Sequence, residues 1–113
     1  MIVETISAGG GNPEIMSLLI EVKGCWHKSL REAMETQLRN RYLAENQYLY
    51  GLYVVGWFLC DHWHNGDSRK RAVPFATIGE ARAELEGQAR QLSTAGRTIR
   101  AVVIDCSLRG PRP

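Results

Sequence analysis

The sequence predicts an α/β domain, a mixed β-sheet of order ββαβαβ with helices packed on it. Three observations carry this expectation. Strand-like apolar or β-branched runs recur at residues 2–7, 16–23, 48–59 and 99–105. A glycine-rich tract, AGGGNP, parts the first two, and apolar residues at helical spacing fill the two later gaps. Strands joined by helices imply parallel neighbours with right-handed crossovers, whereas a short turn implies an antiparallel hairpin. A length of 113 residues suits one domain spanning 1–113.

Residues 2–7 (IVETIS) are β-branched enough for a strand, and 16–23 (MSLLIEVK) supply its return. From Ser29 to about Asn46 the residues Leu30, Met34, Leu38 and Tyr42 recur every four positions, which predicts an amphipathic helix. Ser29 and Glu32 have the spacing of a capping box at its start. Residues 48–59 (YLYGLYVVGWFL) are continuously apolar, as in a central strand covered on both faces. The polar stretch from Cys60 to Pro74 lacks periodicity and reads as a loop. Thr77 and Glu80 repeat the capping-box spacing. Ala81, Leu85, Ala89 and Leu92 then form a helical stripe, Gly96 marks its end, and residues 99–105 (IRAVVID) form the last strand. Gly87 is a poor helix former inside that second helix.

Composition narrows the function classes. With 44% hydrophobic and 23% charged residues the chain is neither a disordered tail nor a membrane protein. A net charge of +2 permits a polyanionic partner without requiring one. Three widely spaced cysteines, with no apolar leader, point to a reducing cytoplasm. The apolar run is broken by Gly51 and Gly56 and falls short of the roughly 20 residues that span a bilayer.

The chemistry concentrates at Glu21 and Lys23. Side chains alternate along a strand, so these two project from the side that also carries Leu19. Opposite charges within an apolar strand cost several kcal/mol to bury, on the order of 3–5, unless paired or bound to a metal. A carboxylate can hold Mg²⁺, and a neighbouring lysine can orient an attacking water and offset phosphate charge.

The segment LLIEVKGCWH resembles the PD-(D/E)xK, or restriction-endonuclease-like, phosphodiesterases. The resemblance implies a nuclease acting on DNA, with Glu21 and the Val22 carbonyl binding Mg²⁺ (or Mn²⁺) and Lys23 catalytic. It assigns a positioning role to Gln37, in QLRNRY, with Tyr42 a turn further on. It also implies a second carboxylate, usually aspartate, on the preceding strand. No aspartate precedes Glu21. A hairpin turning near Gly11–Asn12 would bring Glu4 opposite Ile20 or Glu21, so Glu4 is the expected third metal ligand, while Glu14 lies next to the turn. Another reading puts the aspartate upstream of Met1, in an N-terminal helix and strand that this chain lacks. The chain is then a piece of a larger DNA-repair or phage-defence protein, with an uncovered sheet edge that favours a homodimer. The alternative to an enzyme is an inactive module of the same fold that binds nucleic acid or protein.

Several other residues carry two readings. Arg39, Arg41, Arg69, Lys70 and Arg71 are either solvated charges or a phosphate grip. Cys60, His62 and His64 alternate as zinc ligands would, with His27 or Cys25 as a fourth, or are loop residues. Trp26, Trp57 and Trp63 serve as packing residues or base-stacking platforms, and the sequence does not separate these.

Overall fold

A computed structural model describes residues 2–7, 14–43 and 49–108, with the side chains of 2–7, 14–16, 41 and 42 outside the description. The turn expected at 8–13, the helix end near Asn46 and the strand start at 48 lie outside the described residues. The elements are β1 (Ile2–Ser7), β2 (Glu14–Gly24), α1 (Met34–Leu43), β3 (Tyr50–Trp57), α2 (Ser68–Ala72), α3 (Ile78–Leu92) and β4 (Thr98–Asp105). They build a small α/β domain around a four-stranded sheet of order β1-β2-β3-β4. β1 runs antiparallel to β2, and β2, β3 and β4 are mutually parallel. Among the described residues no helix is long and apolar enough to cross a membrane.

Parallel register aligns residues across the sheet in rows, and alternate rows face opposite ways. Leu19 aligns with Gly51 and Ile99, Glu21 with Tyr53 and Ala101, and Lys23 with Val55 and Val103. These rows supply the sheet's side of the core, in which Leu19, Tyr53, Val55, Ile99, Ala101 and Val103 are buried. Helix α1 contributes Met34, Leu38 and Leu43, and α3 contributes Ala81, Leu85, Ala89 and Leu92. The intervening rows, Val22 with Val54 and Val102 among them, are half-buried or exposed: Val22 is 57% exposed and Val102 43%. The expectation that β3 is covered on both faces is therefore corrected. An unbroken apolar run reports low polarity on both faces, but both described helices that pack on the sheet lie on one of them.

Helix α1 also departs from expectation, because it is wound as a π-helix and starts at Met34, not Ser29. Residues 28–32 form turns, in which the Ser29 carbonyl accepts from the amides of Glu32 and Ala33. The wider winding puts residues five apart on one face, and Leu38 and Leu43 are both fully buried. Gly51 permits this packing, since a Cβ there would stand 2.9 Å from Leu43 and 3.3 Å from Leu38.

The second capping box forms. The Thr77 hydroxyl accepts from the Glu80 amide at 3.1 Å, and the Glu80 carboxylate accepts from the Ala76 amide at 3.1 Å. Helix α3 passes through Gly87 and ends at Leu92, four residues before Gly96, because the Ser93 hydroxyl turns back to the Ala89 carbonyl and also takes the Ile99 amide. Within the expected loop, Asp67 caps α2 by accepting from the Arg69 amide at 2.9 Å. A helix this short, with no buried residue, leaves no apolar periodicity to read.

Candidate functional site

Glu21 and Lys23 lie near the C-terminal end of β2, on the face that carries the helices. Their side chains meet at 3.0 Å, with only 18% of Glu21 and 12% of Lys23 exposed. Alternation along the strand puts them on one side, and the parallel register sets Tyr53 beside Glu21 and Val55 beside Lys23. The Tyr53 hydroxyl donates to the Leu30 carbonyl at 2.8 Å and ties β3 to the turns ahead of α1. Burial raises the pKa of that hydroxyl well above the ordinary tyrosine range, and the carboxylates of Glu21 and Glu32 push it further the same way. Glu32, read in the sequence as a capping residue, is thus a second carboxylate bearing on this region. No spacing rule links positions 21 and 32, since only the fold of the intervening turns brings both to Tyr53.

The other expected ligand stands elsewhere. The hairpin register pairs Glu4 with Ser17, not with Ile20 or Glu21, because Ser7 pairs with Glu14 and the strands begin pairing earlier than expected. Four positions separate Ser17 from Glu21, about 13 Å along a strand. That backbone register removes Glu4 from the position opposite Ile20 or Glu21 on which its expected role as a ligand rested. Glu14 opens β2 at the turn end of the hairpin.

Gln37 is half-buried on α1 and makes no hydrogen bond to Glu21 or Lys23 among the described residues. Among these residues no group of three or more His, Cys, Asp or Glu side chains is arranged to hold a metal. A cation beside Glu21 would then rest on that carboxylate, main-chain oxygen such as the Val22 carbonyl, and water. Such a donor set suits Mg²⁺, which keeps much of its hydration.

The basic residues are largely engaged within the chain. Arg39 pairs with Glu35 at 3.1 Å and bonds Asn40, and the Arg41 side chain is outside the description. Arg69 grips Asp67 through two nitrogens. Lys70 donates to the Trp63 carbonyl and to Asn65, each at 2.7 Å. Arg71 is exposed. Cys60, His62 and His64 line one cavity, but they do not converge as a zinc set. His27 instead accepts from the Ser29 amide through Nδ1 at 3.1 Å.

The tryptophans separate clearly. Trp57 is buried in the core, whereas Trp26 and Trp63 line the cavity, which measures about 420 Å³ and lies beyond the C-terminal ends of the strands. Compared with protein families, curated proteins and solved structures, the chain matches none.

Proposed function

We propose that this domain is a metal-dependent phosphodiesterase acting on DNA, with a restriction-endonuclease-like core. In this reading Glu21 and the Val22 carbonyl hold Mg²⁺ or Mn²⁺, and Lys23 orients the attacking water and offsets phosphate charge. Gln37 helps to position that lysine or the phosphate. The observation that carries the reading is the nearly buried Glu21–Lys23 pair, on the face where strands and helices otherwise present apolar groups. Such a pair is a poor stabiliser, because desolvation offsets most of its attraction, so its retention favours a chemical role. The antiparallel β1–β2 hairpin leading into parallel β2, β3 and β4 is compatible with such a core. The metal would supply Lewis-acid polarisation of the phosphate.

A specific observation favours a second reading. With Glu4 four positions from Glu21 in register, the carboxylate pair lacks its expected partner, and the domain then serves as an inactive nucleic-acid-binding module within a larger repair or defence protein. One experiment separates the two. Purified protein is assayed on single- and double-stranded DNA with Mg²⁺ or Mn²⁺, beside Glu21→Ala and Lys23→Ala. Cleavage lost in both variants supports the enzyme. Activity equal in all three proteins, or no calorimetric Mn²⁺ uptake while DNA still binds, sinks it.

A further inference from the structure

The sheet face turned away from the helices is apolar, open and nearly free of charge. Its central rows are Val22–Val54–Val102 and Ile20–Leu52–Arg100, followed by Gly24–Gly56–Ile104. Val22 is 57% exposed, Ile104 49% and Val102 43%, and Arg100 alone among these positions is charged. At one end the Trp26 and Phe58 rings fold back over the two glycines, where a Cβ would stand 2.5 and 2.8 Å from them. The rings meet at 5.5 Å between centroids and prolong the patch as an apolar ledge.

Parallel strands such as β2, β3 and β4 occur almost only in sheets covered on both faces. Segments of these 113 residues outside the description run to six residues at most, too few for the roughly 11 of a three-turn helix. The free edge of β4 is a poorer docking surface than the face. Ser93 Oγ accepts from the Ile99 amide at 2.9 Å and donates to its carbonyl at 3.2 Å, and Arg82 donates to the Val103 carbonyl at 3.1 Å. Side chains from α3 and its cap thus occupy main-chain groups with which an added strand would pair.

The face has the size and charge pattern for a second copy. Three strands about 4.8 Å apart and seven rows about 3.3 Å apart span roughly 14 by 23 Å, on the order of 330 Å² in plan. Side-chain relief and the Trp26–Phe58 ledge enlarge this toward the roughly 600 Å² per partner at the low end of specific interfaces. A two-fold axis through Val54 in the contact plane sets Arg100 over Ile104 of the copy if it runs across the strands, or over Ile20 if it runs along them. In neither case do the two guanidinium groups meet, and from terminal strand β4 each can reach the rim.

We propose that two copies of this chain pack through these faces as a two-fold dimer, sheet on sheet, with the helices outermost. The interface is the sheet face, not the sheet edge expected from the sequence. The two Glu21–Lys23 pairs lie on opposite sides of the assembly, so dimer formation depends on neither metal nor cleavage. The modest area sets the affinity in the micromolar range, about 1–100 μM.

Sedimentation equilibrium of the full chain from about 1 to about 200 μM tests this, a range that brackets the expected affinity. The mass should rise from 12.7 kDa toward twice that value. Val102→Lys and Ile104→Lys, at exposed positions, should each weaken association at least about tenfold with an unchanged circular dichroism spectrum. Arg100→Leu should tighten it about tenfold by removing the one charge from the face, and Gln91→Leu, exposed on α3, should not. The Arg100→Leu arm decides the matter even where a lysine variant fails to fold. A mass constant at 12.7 kDa, with or without binding to phosphatidylcholine vesicles, overturns the proposal. So does dimer formation that Arg100→Leu and the folded lysine variants leave unchanged.

Discussion

Replacing Lys23 with methionine keeps most of the side-chain volume and removes one charge from a pair 3.0 Å apart. At an effective dielectric of about 20 the gross attraction is on the order of 5 kcal/mol, most of it cancelled by the desolvation of both groups. The net cost appears when one partner is removed, because the Glu21 carboxylate is then left only 18% exposed beside the apolar core. Breaking a fully buried pair costs about 3–5 kcal/mol, and the residual exposure here reduces this to about 2–4. The double variant Glu21→Gln with Lys23→Met removes both charges and should return to within about 1 kcal/mol of wild type. Urea unfolding followed by circular dichroism, run as a double-mutant cycle, measures the coupling directly. If Lys23→Met alone is as stable as wild type within about 0.5 kcal/mol, the value of an ordinary surface substitution, the pair is solvated and its claim to a chemical role disappears.

Tyr53→Phe should destabilise by about 1–3 kcal/mol, since it strands the buried Leu30 carbonyl that the hydroxyl caps at 2.8 Å; chemical denaturation measures it. Gly24→Ala should lower stability by about 1–3 kcal/mol through the clash with the Trp26 ring and alter the near-ultraviolet tryptophan bands, whereas Gly96→Ala, with open space at its Cβ, provides a control for the volume effect. Hydrogen bonds from Arg69 first, and then from Trp63, hold the Asp67 carboxyl below its usual range. A depressed folded pKa contributes stability that is complete above the unfolded value of about 3.9. It is lost as pH falls through the folded value. Trp63 fluorescence should accordingly change on acidification below about pH 4 in wild type, and much less in Asp67→Asn. Burial raises the Cys25 thiol pKa, and that thiol also receives the Phe58 amide at 3.4 Å. Alkylation at neutral pH should therefore label exposed Cys106 before Cys25, as read by mass spectrometry.

Sequence alone determined the features that rest on local periodicity. The α3 stripe of Ala81, Leu85, Ala89 and Leu92, the Thr77–Glu80 cap and the shared face of Glu21 and Lys23 follow from 3.6- and 2-residue repeats, which are properties of neighbouring backbone units. Tertiary structure decided what depends on distant segments meeting. The hairpin register parted Glu4 from Glu21, and the turns before α1 carried Glu32 toward Tyr53. Packing Leu38 and Leu43 over Gly51 accompanies a winding of α1 that a four-residue repeat does not predict. The in-register glycines at 24 and 56, unremarkable in the chain, became a floor for Trp26 and Phe58 only once β2 and β3 lay side by side. Register is set by the best burial across the whole sheet, and that sum cannot be evaluated from one segment at a time.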